Sequence, residues 1–139
     1  MSSSLQPSRG TLVLALAVAG AVLPIIGILR SQGAGGLFAD WGLLKVVWGL
    51  SPFLLFPLAA RRARRAWLRG MILILVTIAV LFSTVGYLVL LPRRTGSEAI
   101  LLTALLPVWQ WPMALLSAAL SVFVPSEEQE REMSGQPEA

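Results

Sequence analysis

The chain has 139 residues, of which 56% are apolar and only 13% charged, against about 25% charged residues in a soluble domain. So few charges cannot coat a globule, and lipid is the natural solvent for most of the chain. The net charge of +4 comes from 11 basic and 7 acidic residues, and the basic ones stand at the ends of apolar segments, a placement that marks membrane topology and anionic-lipid contact rather than nucleic-acid binding.

Cysteine and histidine are both absent. A Cys/His zinc site, a His-ligated haem, a Cys-bound iron–sulfur cluster, a Cys nucleophile and a Ser-His-Asp triad are therefore excluded within this chain.

Residues 1–10 are polar and read as a flexible tail. A first uncharged span covers about 11–30, close to the roughly 20 residues that cross a hydrocarbon core. Pro24 and Gly27 lie near its far end, where lipid tolerates a kink or a close-packing point. A signal peptide would have a shorter apolar region after a more basic start, so the segment is read as a retained helix. Residues 31–40 read as a glycine-rich loop.

The second span covers about 41–60. Lys45 lies one turn inside it and can snorkel to the headgroups. Pro52 and Pro57 remove two backbone donors, which predicts a bent helix whose freed carbonyls face a neighbour or water. Arg61, Arg62, Arg64, Arg65 and Arg69 follow, with Trp67 among them. They fit a cytoplasmic loop under the positive-inside rule and are candidate contacts for anionic lipid or an acidic partner.

The third span, about 70–91, is rich in Ile, Leu and Val. Ala79 and Ser83 form a small pair at four-residue spacing, a possible helix contact. A turn from Pro92 to Ser97 leads to Glu98, where a capping hydroxyl and an acid in the first turn predict a helix start.

The fourth span, about 98–124, is longer than a crossing needs, so tilt or a break is expected. Its centre holds Trp109, Gln110 and Trp111 between Pro107 and Pro112. Three readings stay open: a ligand cleft lined by indoles and an amide, a glutamine bonding a neighbouring helix, or a short surface helix followed by a span that begins at Pro107. Residues 126–139 are acidic and read as a disordered tail.

The expected architecture is all-α: a four-helix transmembrane domain over 11–125, as an antiparallel bundle with both termini cytoplasmic in a bacterial inner membrane. Seven of the 11 basic residues fall on the side of the termini, which sets that orientation. No ionisable residue lies deep in a span, which argues against proton-coupled transport. Small multidrug exporters carry a glutamate in their first helix, and this first span has none. Asp40 and Lys45 have a spacing poorly suited to pairing on one helix face. The functional expectation is a non-enzymatic accessory subunit or scaffold without a cofactor, packing against a membrane-protein partner or a second copy of itself. The alternative is a small oligomeric transporter or channel with Gln110 lining the path.

Overall fold

The computed structural model describes residues 8–38, 41–125 and 127–135. Every element among them is helical: α1 (Arg9–Phe38), α2 (Gly42–Arg62), α3 (Ala66–Ser83), α4 (Gly96–Phe123) and α5 (Glu127–Ser134). Four helical stretches are long and apolar enough to cross a membrane, at Arg9–Gly35, Gly42–Arg62, Ala66–Arg93 and Gly96–Phe123.

Each of these helices turns a narrow stripe inward. On α1 the stripe is Val13, Ala17, Gly20, Pro24 and Ile28. On α4 it is Ala99, Thr103, Leu106, Gln110, Ala114 and Ser117. Spacings of three and four residues put such positions on one helix face. Only 33–39% of each crossing segment is buried inside the protein. The remainder is largely Leu, Val, Ile, Phe and Trp exposed to the surroundings, a surface that water would penalise and lipid would not.

The third crossing is not one regular helix. After Ser83 it widens into a π-helical stretch, Thr84–Leu90, then tightens to a 3-10 turn, Leu91–Arg93. The wider turn slows the rotation per residue, so Ser83, Tyr87 and Leu91 all face inward while Leu90 is exposed. An unbroken helix of 3.6 residues per turn would have carried Leu91 off that face.

Several boundaries differ from the sequence reading. The helix α1 begins at Arg9, inside the expected tail, and residues 1–7 of that tail lie outside the described residues. It also runs on to Phe38 across the expected glycine loop, with one break at Gly33 (φ 69°, ψ −176°). That left-handed backbone is open to glycine and costly for residues with a Cβ. Asp40, and with it the Asp40–Lys45 pairing, lies outside the described residues. At the start of α4, Thr95 occupies the cap position without a side-chain bond, and Glu98 pairs with Arg94 at 2.9 Å. The expected cap at Ser97 therefore does not form.

The acidic tail also differs. Residues Glu127–Ser134 are helical, and Arg65 ties this segment to the body. Its Nε donates to the Pro125 carbonyl at 3.0 Å and its guanidinium meets the Glu130 carboxylate as an ion pair. Glu130 is 53% exposed, so that pair contributes under about 1 kcal/mol. A further bond from Arg9 Nη1 to the Ala66 carbonyl (2.9 Å) brings the start of α1, the α2–α3 connection and the end of α4 to one end of the molecule.

Candidate functional site

The continuity of α4 through Pro107 and Pro112 decides between the readings of the fourth segment: it is one helix, not a surface helix followed by a shorter span. Successive residues on an α-helix point about 100° apart, and the three candidates separate accordingly. Trp109 faces outward and is 66% exposed, Gln110 is fully buried, and Trp111 is half-buried.

Gln110 sits on the inward stripe and reaches across the bundle. Its Nε2 donates to Ser83 Oγ at 2.7 Å. The other buried hydroxyls on that stripe bond within their own helix: Thr103 Oγ1 to the Ala99 carbonyl (2.8 Å) and Ser117 Oγ to the Met113 carbonyl (2.9 Å). Such back-bonding is the routine way for a helix to satisfy a hydroxyl. Gln110 has no equivalent route and pairs with another helix instead. Its bond falls at the boundary between two apolar clusters. One, toward the arginine end, includes Phe53, Phe56, Ile72, Ala79 and Ala114. The other comprises Tyr87, Leu91, Ala99 and Leu106.

Trp111 packs against Trp48 of α2, with ring centroids 6.2 Å apart and planes 36° from parallel. Trp48 Nε1 in turn donates to the Ala104 carbonyl of α4 at 3.0 Å. Pro107 supplies no N–H to the Thr103 carbonyl four residues back, and the next carbonyl along, that of Ala104, is the one that Trp48 reaches from α2. Within α2, Ser51 Oγ donates at 2.7 Å to the Trp48 carbonyl, the one that Pro52 leaves without its helical donor. That freed carbonyl is thus met inside its own helix rather than by a neighbour or water.

These contacts run from helix to helix. Ser83 and Tyr87 stand one turn apart on the third crossing. The Tyr87 hydroxyl lies against Gly49, where a Cβ would come within 3.0 Å of it. Gly49 adjoins Trp48, Trp48 packs on Trp111, and the adjacent Gln110 returns to Ser83. Three polar atoms in this chain of contacts are buried without a hydrogen-bond partner: Gln110 Oε1, Tyr87 OH and Trp111 Nε1.

Trp48, Ser83 and Tyr87 are residues of this site that the sequence pattern does not mark as such. Ser83 had a faint signal in its small-residue pairing with Ala79, and both are fully buried. Trp48 and Tyr87 had none, since an aromatic residue in an apolar run does not reveal which way it faces.

The Gln110–Ser83 bond can be measured. Gln110→Leu and Ser83→Ala in a double-mutant cycle should give a coupling of about 0.6–1 kcal/mol in bicelle unfolding, the usual size for hydrogen bonds between membrane helices. Additive single effects would show that the pair contributes nothing.

The arginines divide into two kinds. Arg65 holds the Pro125 carbonyl and Glu130, and Arg69 Nε donates to the Ala63 carbonyl at 2.8 Å, so both brace the α2–α3 connection. Arg61, Arg62 and Arg64 are exposed and have no hydrogen-bond or ion-pair partner among the described residues. No group of three His, Cys, Asp or Glu able to hold a metal occurs among the described residues. No family model, no curated protein and no solved structure matches this chain.

Proposed function

We propose that this protein is a non-enzymatic membrane subunit or scaffold that works by packing against another membrane protein. In this reading the four helices form an antiparallel bundle in a bacterial inner membrane. Both termini and the arginine-rich connection face the cytoplasm, in keeping with the side that carries most of the basic residues.

Trp109 carries the proposal. It lies at the middle of the 28-residue α4 and faces outward. A helix of that length rises about 42 Å, against a hydrocarbon core of about 30 Å, so its midpoint is remote from both interfaces. Indoles favour those interfaces, where the ring is in lipid and the N–H finds water. At mid-span, lipid offers that N–H no acceptor. Leu105, Val108 and Leu116 continue the exposed face on either side. A partner helix with small residues and an exposed carbonyl or hydroxyl oxygen would cover the ring and accept its N–H, the kind of aromatic anchor that dominates interfaces.

A photo-crosslinking residue at position 109 tests this in native membranes. The expected result is an adduct with one discrete membrane protein, and Trp109→Ala should lower its co-purification by about tenfold or more. An adduct with a second copy of the chain would make the scaffold a homo-oligomer. Lipid adducts alone, with only monomer recovered in mild detergent, would overturn the reading.

The unpartnered Gln110 Oε1 supports a second reading, a small oligomeric transporter or channel with Gln110 on the path. Solute flux in liposomes that is lost in Gln110→Leu would favour it.

A further inference from the structure

We propose that Arg61, Arg62 and Arg64 form a binding site for the phosphate of an anionic phospholipid headgroup. The three line one cleft of about 460 Å³ between the end of α2 and the last turn of α4, where Ser121, Val122 and Val124 complete its wall. The inference rests on the chain lying in a membrane, but not on its acting as a scaffold.

The first argument is the division of labour among the basic residues. Arg9, Arg65 and Arg69 spend donors on the Ala66, Pro125 and Ala63 carbonyls. Those bonds fix the short connection from which Arg64 projects, directly after the last turn of α2 that carries Arg61 and Arg62. The three arginines of the cleft have no such partner among the described residues. Arg65 engages Glu130 of the chain's own acidic segment, whereas no described residue brings an anion to the cleft arginines.

The second argument concerns the kind of anion. The wall that Val122 and Val124 supply is apolar, and Val122 and Phe123 beside it are 60% and 82% exposed. A free phosphate would use the guanidinium groups and leave this surface bare. A phospholipid uses both, with its phosphate against the guanidinium forks and its acyl chains over the exposed end of α4. Ser121 adds no donor, because its hydroxyl donates to the Ala118 carbonyl at 2.7 Å. The site is thus a charge and shape match carried by arginine. Arg61 also borders a neighbouring cleft of about 330 Å³ with Arg69, Leu14 and Pro57, so its guanidinium stands between two concave surfaces.

Native mass spectrometry of the full chain, released from mild detergent with defined additives, tests the proposal. Phosphatidylglycerol should be retained at several times the occupancy of phosphatidylcholine. The triple variant Arg61→Gln, Arg62→Gln, Arg64→Gln should lower phosphatidylglycerol occupancy by at least about tenfold, since each basic residue near the headgroups adds to the attraction. The charge-matched triple Arg30→Gln, Arg93→Gln, Arg94→Gln should leave it nearly unchanged. Equal loss in both triples would overturn the site and leave only net charge. Equal retention of the two lipids by the native chain would overturn it even if the cleft variant failed to fold. An inorganic phosphate adduct that forms as readily as the lipid adduct and disappears in the cleft variant would assign the arginines to free phosphate, and overturn the lipid. Capture of a protein partner through Trp109 should survive in the cleft variant, which separates failure of this site from failure of the scaffold reading.

Discussion

Replacing Gly27 by Ala is expected to destabilise the bundle by about 3 kcal/mol, the upper part of the range for overpacking a close contact. A Cβ at this position would stand 2.8 Å from Tyr87 Cβ and 2.9 Å from the Tyr87 carbonyl oxygen. Neither atom is the end of a flexible side chain, so relief requires α1 and the π-helical stretch to move apart. The intrinsic preference runs the other way, because alanine in a helix interior is favoured over glycine by about 1 kcal/mol. The sign of the measured change therefore decides whether close approach or propensity governs position 27. Gly35, which has nothing within 4 Å of a built Cβ, is the control, and Gly35→Ala should be neutral or slightly stabilising. Reversible unfolding in bicelles, by steric trapping or detergent titration, gives both values. A stabilised Gly27→Ala protein would mean that α1 does not rest on Tyr87 as described.

That contact also illustrates what the residues announce and what they conceal. The four crossing segments are legible because an apolar run of about 20 residues has few other uses, and the runs here are bounded by arginines and turn residues. The inward faces are not legible. In a soluble helix the buried stripe contrasts with a polar face, whereas here Leu, Val and Ile lie on both sides and lipid removes the contrast. Gly20, Gly27, Gly49 and Gly86 mark the close contacts only once their neighbours are known. The π-helical stretch at Thr84–Leu90 is unmarked in the residue types, and its consequence, turning Leu91 inward, is visible only in three dimensions.

The candidate site shows the same division. An amide in an apolar helix is conspicuous, so Gln110 could be picked out. Its partner Ser83 is 27 residues away, and nothing in the residue types connects the two. The arginine cluster was legible as a charge signal, but its separation into bracing and unpartnered residues depends on which backbone carbonyls come within reach. Composition alone favours disorder in the acidic tail, whereas Arg65 gives that segment a surface to hold.

A second large effect is expected where α1 meets α2 nearer the arginine end. Phe53 is 1% exposed, and its ring lies so close over Gly20 that a Cβ there would overlap it. The ring also stacks at a tilt on Phe56, with centroids 6.2 Å apart. Phe53→Ala should cost about 3 kcal/mol, the lower end of the range for a buried aromatic residue. The lower end is expected because the helices separate into lipid, so the loss is mainly of van der Waals contact rather than of transfer from water. Gly20→Val alone should also destabilise, by about 1–3 kcal/mol, because the added methyl groups meet the ring. The two changes are opposite in volume at one contact. Combined, they should be less damaging than the sum of the single effects by about 1–2 kcal/mol, within the range for residues that touch. Strict additivity in the same bicelle assay would show that the two positions do not meet. The consequence extends to the proposed lipid site. Phe53 and Phe56 lie on the helix that ends in Arg61 and Arg62, so the packing of α1 on α2 helps fix the side of the cleft those arginines form. The Phe53→Ala protein, measured under conditions where it remains folded, should therefore discriminate less between phosphatidylglycerol and phosphatidylcholine while keeping every arginine.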